Sequence, residues 1–336
     1  MKAWELRGYG KENLALTDKP VPQPGPREVL VRIGAVALNY RDRLIIEGLY
    51  NPQMEFPITQ VADAVGEVVE TGKDVSRFRT GDRVITLYAT RWIDGDPRGD
   101  ESTHTLGNTI QGALAEYLVL SEDALVLAPP YLSDEEAAAL PCAGITAWFA
   151  LVEKGGLKPH QTVLVQGTGG VSLYGLQIAA ALGAKVIVTS SSDAKLERAG
   201  SLAGSMGINY ARTPDWEKEA LRLTDGAGVD HVLDVAGGKS LAQSVTAVKA
   251  GGQISSIGIL EGFTSEIPVF PLLLKQIVIR GISTGPRRAL EDMVVAFDKF
   301  RLHPVIDTVY PFDAALEAYD HLYRGPFGKI VIRVRE

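Results

Sequence analysis

The chain has little with which to hold a metal or close a covalent cross-link. One cysteine, Cys142, and five histidines occur among 336 residues. A lone cysteine excludes both an internal disulfide and a cysteine-based zinc cluster. The histidines, at positions 104, 160, 231, 303 and 321, show no ligand-like spacing, and His160 and His303 each adjoin a proline in a loop-like segment. No run reaches the ~18 to 20 apolar residues that span a bilayer. The opening Met1-Lys2-Ala3-Trp4-Glu5 is polar where a signal peptide needs an apolar stretch. There is no basic block either: the net charge is −7 with both signs interspersed, so the electrostatic footprint of a nucleic-acid binder is missing. A cytoplasmic protein acting on a small molecule is expected, with neither nucleic acid nor membrane as partner.

What is present reads as an ordinary globular protein, 46% hydrophobic and 22% charged. At roughly 150 residues per domain the chain has room for two. The first part is β-rich and irregular, with strand-like runs at Val29–Ile33, Val65–Val69 and Arg83–Leu87 between Pro and Gly punctuation. From Gly155 the texture changes to apolar strands alternating with amphipathic helices, the pattern of a parallel α/β sheet. Strands are expected at Thr162–Gln166, Lys185–Thr189, Val229–Val235, Gln253–Ile257 and Ile277–Ile282. A helix carries Val171, Tyr174, Gly175, Ile178, Ala179 and Leu182 on one face and stops at Gly183. Beyond Pro286 a helix to about Arg301 and a last strand at Lys329–Val334 return to the first domain.

The informative segment is Gly167-Thr168-Gly169-Gly170-Val171-Ser172, which follows a strand and opens a helix. It fits G-x-G-x-x-(G/A) with Ser172 in the third glycine place. Small residues there let the backbone approach a pyrophosphate whose charge rests on the helix N-terminus. An NAD site places Asp or Glu at the end of the second strand to hold the ribose 2′-hydroxyl. Here that position reads Thr189-Ser190-Ser191-Ser192, with Lys195 one turn later. Hydroxyls and an ammonium suit a 2′-phosphate, so NADPH is favoured. Asp193 opposes this by charge unless it turns toward backbone amides; it or Ser192 can cap the following helix. Cys142, after Pro141 in an Ala-rich helical segment, reads as a small buried residue.

Several motifs occur in fixed order: Leu38-Asn39-Tyr40-Arg41-Asp42, Gly66–Gly72, Phe78–Val84, Gly112–Tyr117, Leu140–Ala147 and Val165–Val171. Together they resemble the zinc-free, quinone-oxidoreductase-like branch of the medium-chain dehydrogenase/reductases, over essentially the whole chain. The resemblance implies an α/β protein in which a doubly wound Rossmann sheet is inserted in a β-rich, chaperonin-10-like catalytic domain. The expected boundaries are 1–123 for the first part of the catalytic domain, 124–285 for the NADP-binding domain and 286–336 for the return. It implies a homodimer joined edge to edge near Ile277–Ser283. It also implies that Lys195 and Tyr210 contact the 2′-phosphate, and that Gly258 lies near the nicotinamide.

Zinc-dependent relatives hold catalytic zinc with a Cys, a His-Glu pair and a later Cys. By resemblance Asn39 takes the first Cys place and Ala62-Asp63 the His-Glu pair, so no metal is expected. Another group must then polarise the acceptor while hydride arrives, with hydrogen-bond donors and a tyrosine as the available chemistry. The candidates are Asn39, Tyr40, Tyr50 and Asp63, with Asp42 in support. On the cofactor side they are Gly167, Thr168, Gly169, Gly170, Val171, Ser190, Ser192, Lys195, Tyr210 and Gly258. The expected reaction is hydride transfer from NADPH to a quinone or α,β-unsaturated carbonyl. A zinc-independent alcohol or aldehyde oxidoreductase and a weakly active NADPH-binding sensor are the alternatives.

Overall fold

The computed structural model describes residues 1–335, and these divide into two compact units: Met1–Ile145 with Thr284 onward, and Thr146–Ser283. The first border therefore falls later than the expected 123/124. The reason is pairing: Leu125–Leu127 is a strand hydrogen-bonded to Arg83–Thr86, and the Asp134–Ala138 helix packs on Glu28–Leu38 and Asp63–Thr71. Those residues complete the first sheet and cannot belong to the second.

The first unit is built around the strand Glu28–Leu38, whose Val-, Ala- and Ile-rich run is buried along nearly all its length. A strand apolar on both faces must be covered on both, and this one is also paired on both edges. Asp63–Thr71 lies on one side, while Lys329–Arg333 and Tyr117–Ser121 share the other. The full order is Ile306–Pro311, Lys329–Arg333, Glu28–Leu38, Asp63–Thr71, Arg83–Thr86, Leu125–Leu127. A smaller sheet of Leu14–Asp18, Lys2–Leu6 and Ile58–Thr59 accompanies it. The strand Ile306–Pro311 and the helix Ala315–Arg324 were not evident from sequence.

The second unit is a six-stranded parallel sheet in the order Met206–Asn209, Lys185–Ser190, Thr162–Gln166, Val229–Asp234, Val248–Ser256, Val278–Gly281. Strand order reverses beside Thr162–Gln166, the switch point at which such sheets bind ligands. Val163, Leu164, Val165, Ile187 and Val188 have no exposed surface, as expected of strands covered by helices on both faces. The helix Gly170–Ala181 follows the glycine turn directly. Gly258 sits where the backbone crosses Val235: a β-carbon there would lie 1.9 Å from the Val235 carbonyl oxygen.

One local departure concerns the Ala-rich segment around Cys142. It is not a plain α-helix: Leu140–Gly144 and Phe149–Glu153 are wound as π-turns on either side of Ile145–Trp148. Such widened turns recur at functional sites because they re-aim backbone groups. Among the described residues no helix is long and apolar enough to cross a membrane.

Candidate active site

Strand register brings three polar side chains together in the first unit. Ile330 lies opposite Leu38, and Asp63 lies opposite Ala37 on the other flank. Lys329 and Asp63 therefore bracket Asn39, the residue that ends the central strand and caps the helix Tyr40–Ile46. The Lys329 ammonium donates to Asn39 Oδ1 at 2.5 Å and lies 3.4 Å from Asp63 Oδ2. Asn39 Nδ2 donates to the same Asp63 oxygen at 2.9 Å, and the Cys142 backbone N–H donates to it at 3.2 Å. Lys329 is 3% exposed and Asp63 0%. Burial outweighs the Lys329 charge and holds the Asp63 carboxyl above its ordinary range.

The turn leading to Asp63 is strained and clamped. Val61 is left-handed, with φ of 71°, a costly conformation for a β-branched residue. Gly112 packs against it so closely that a β-carbon would sit 2.4 Å from both the Gln60 and Val61 carbonyl oxygens. The Ala113 and Leu114 amides then donate to those carbonyls. This explains why the Gly112–Tyr117 motif begins with glycine.

Beside this cluster lies a second one. Asp42 accepts from the Asn39 backbone N–H at 2.8 Å, so it supports the helix start as a capping carboxylate. Its carboxyl is fully buried, and burial pushes it up to about 6 despite the neighbouring Arg41. The Arg41 guanidinium, 7% exposed, lies 5.2 Å from the Tyr50 ring centre and 4.8 Å from that of Tyr88. The Tyr50 and Tyr88 hydroxyls are 2.8 Å apart. Of the sequence candidates, Asn39 and Asp63 meet directly and Tyr50 joins the Arg41 group. Tyr40 stands apart, its ring against the Arg43 guanidinium at 5.7 Å.

Lys329, Arg41 and Tyr88 were missed by sequence reasoning. A lysine opening the otherwise apolar run Lys329-Ile330-Val331-Ile332 was a usable signal, since an unpaired lysine is almost never fully buried. Cys142 contributes through its backbone, and burial pushes its thiol above the ordinary range, which leaves it a poor thiolate nucleophile.

In the second unit the glycine turn forms an open cradle. Gly167 has φ of 72°, and a β-carbon added at Gly167 or Gly169 meets nothing within 4 Å. Gly169 caps the helix Gly170–Ala181 in an extended conformation with no side chain over the first amides. Ser172 turns inward instead, donating to the Gln166 carbonyl at 2.6 Å. The arrangement fits a pyrophosphate resting on the helix N-terminus. At the next strand end, Ser192 caps the helix Asp193–Ala203 by accepting from the Lys195 amide at 3.4 Å. The Ser192 amide donates to Ser190 Oγ, and the Tyr210 amide to the Ser190 carbonyl, so these candidates are neighbours. Asp193 does not turn to the helix amides. It accepts from Asn209 Nδ2 at 2.7 Å and pairs with Arg212, a cation that sequence reasoning overlooked.

The two halves of the chain match two family descriptions, "Alcohol dehydrogenase GroES-like domain" over residues 25–130 and "Zinc-binding dehydrogenase" over residues 170–299. A zinc-type alcohol dehydrogenase-like protein of Schizosaccharomyces pombe is 42% identical, over 98% of this chain and 97% of its own. The chain belongs to the medium-chain dehydrogenase/reductase superfamily. An acryloyl-coenzyme A reductase of Sulfurisphaera tokodaii is 29% identical, over 99% of this chain and all of its own length. The crystal structure of a putative alcohol dehydrogenase from Sinorhizobium meliloti superposes with a TM-score of 0.94 at 50% identity, covering 99% and 98% of the two chains. The protein is thus an oxidoreductase of this superfamily, with a chaperonin-10 (GroES)-like domain and a parallel Rossmann sheet.

The polar groups around Asn39 do not make up a tetrahedral zinc donor set. Asn39 and Asp63 are spent on each other and on an ammonium, and position 62 is an alanine. A metal ion placed there would meet a positive charge and one carboxylate, not three ligands. Among the described residues no group of three or more His, Cys, Asp or Glu is arranged to hold a metal.

The Asp42 carboxyl yields a pH signature. Its folded value of about 6 exceeds the ordinary 3.8, so the folded state binds the proton more tightly and loses stability as pH rises between them. The unfolding free energy of wild type minus that of Asp42→Asn should therefore fall by roughly 2 kcal/mol from pH 4 to pH 7. Urea melts of both proteins across that range check this; a flat difference would mean the carboxyl titrates normally.

Proposed function

We propose that the protein is an NADPH-dependent reductase that delivers hydride to a conjugated acceptor, a quinone or an α,β-unsaturated carbonyl, without a catalytic metal. The observation that carries this reading is the buried Lys329 ammonium joined to Asn39 and Asp63, the positions that resemblance assigns to zinc ligands. A site without a Lewis acid suits acceptors whose conjugation already spreads the incoming charge. The S. tokodaii relative is named for reducing an acryloyl thioester, which is such an acceptor.

Bound NADPH supplies the hydride. Gly167, Thr168, Gly169, Gly170 and Val171 would hold its pyrophosphate, and Gly258 would flank its nicotinamide. Ser190, Ser192, Lys195 and Tyr210 would hold the 2′-phosphate. The objection that Asp193 repels that phosphate weakens, because Arg212 neutralises the carboxylate. Asn39 and Asp63 would set the floor of the acceptor site, and Tyr50, 40% exposed, would give a proton, whereas Tyr40, turned toward Arg43, takes no part.

We also propose a homodimer formed along the Val278–Gly281 edge strand. Among the described residues that edge is unpaired, and the neighbouring helix Val269–Leu274 exposes Val269, Phe270, Leu273 and Leu274 to between 60% and 72%. Exposed apolar side chains clustered beside an open edge favour a second copy over solvent. Light scattering should return twice 36.1 kDa for wild type and a single chain's mass for Phe270→Asp/Leu274→Asp. A monomeric wild type would refute this assembly.

The cofactor and acceptor readings are tested by binding and turnover. NADPH should bind about tenfold or more tightly than NADH by fluorescence titration, and Arg212→Ala should erase most of that preference by exposing Asp193 to the phosphate. NADPH oxidation should follow addition of 1,4-benzoquinone or an enone and be far slower with a simple aldehyde. Turnover confined to the aldehyde would reassign the protein as an alcohol or aldehyde oxidoreductase.

A further inference from the structure

Arg41 is a buried cation that neither the strand-end cluster nor the cofactor cradle employs. Its Nη1 donates to the Leu106 carbonyl at 3.0 Å, and the nearest carboxylate oxygen, Asp42 Oδ1, is 3.5 Å away. Among the described residues its Nε and Nη2 are buried with no hydrogen-bond partner, as is Asp42 Oδ1. Leaving donors of a buried charge unpaired is costly, so such an arrangement persists where a ligand completes it. The other charged groups nearby, Asp63 and Lys329, are committed to each other and to Asn39.

The aromatic shell around the guanidinium is graded. Tyr88 is 3% exposed and Tyr50 40%, and their hydroxyls share a hydrogen bond. The two rings thus run from solvent to the cation, with Tyr50 as the outer member. A guanidinium against two phenol rings stays charged and desolvated, which strengthens its field on anything bound at Tyr50.

We infer that Arg41 is the positive charge that receives the oxyanion formed on the acceptor, with the Tyr50 hydroxyl touching that oxygen and Tyr88 holding Tyr50 in place. The inference rests on the proposed reductase reading and names the charge that does the work of a metal. Hydride addition to a conjugated acceptor breaks a π bond and moves its electron pair onto the carbonyl oxygen. NADPH leaves as NADP+, and one proton, passed by Tyr50 and regained from solvent, completes the reduced product. Preorganised donors aimed at a developing oxyanion are the largest single source of rate in such chemistry. Tyr50 and Arg41 are then the catalytic contacts, and Tyr88 is a positioning residue.

The test uses a stable oxyanion and no turnover. The full-length protein, saturated with NADP+, is titrated with 4-nitrophenol while absorbance reports its phenolate between pH 5 and pH 9. Wild type should favour bound phenolate over free by about tenfold, a downward shift of about one pKa unit. Arg41→Met should reduce that preference to less than about threefold, and Arg41→Lys, which keeps the charge but not the fork, should retain part of it. An unshifted phenol in wild type, or an equal shift in Arg41→Met, overturns the inference. Absence of quinone and enone turnover in wild type would instead overturn the reductase reading, and the phenolate titration does not depend on it.

Discussion

A lysine ammonium buried between an amide and a carboxylate is the constraint on which the rest of the first unit turns. Removing Lys329 and Asp63 from water costs several kcal/mol per charge, recovered only when geometry and extra hydrogen bonds are good. The structure supplies these to Lys329 and to one oxygen of Asp63. Two neighbouring strands fix the partners on either flank of Asn39, and the backbone N–H of Cys142 adds a third bond to Asp63. The left-handed Val61 and the π-turns at Leu140–Gly144 make sense as what it takes to deliver Asp63 and the Cys142 amide to one point. The local strain accompanies a buried ion pair in which Asp63 Oδ2 takes all three bonds and Oδ1, among the described residues, takes none.

The nucleotide half was largely legible. Strands such as Thr162–Gln166 and Lys185–Ser190 form a fully covered parallel sheet, so their apolar runs and glycine punctuation state their structure directly. Residue type narrowed the helix cap to Ser192 or Asp193, and Ser192 takes it. Asp193 was harder: its partner Arg212 lies on the next strand's exit, and sequence distance hides that pairing.

The first unit was legible as motifs but not as contacts. Asn39 and Asp63 were found by resemblance, yet their shared partner lies 290 residues from Asn39 and comes from the return segment. The apolar run after Lys329 hints that the ammonium is buried, but only register against Glu28–Leu38 says which partners it meets. The same holds for Arg41, whose aromatic shell comes from two separate loops. The expected boundary at 123 missed because Leu125–Leu127 is too short to read as a strand and owes its existence to pairing with Arg83–Thr86. Resemblance also drew attention to Tyr40, whose ring the helix turns toward Arg43 and away from the cluster.

The proposed metal-free reading rests on the Lys329 ammonium between Asn39 and Asp63. The most direct measurement is metal content by inductively coupled plasma mass spectrometry, after incubation with excess Zn²⁺ and dialysis against metal-free buffer. The account predicts far less than one zinc per chain, because Lys329 repels the ion and Asn39 and Asp63 are already engaged. One tightly held zinc per chain, lost together with activity on chelation, would contradict it.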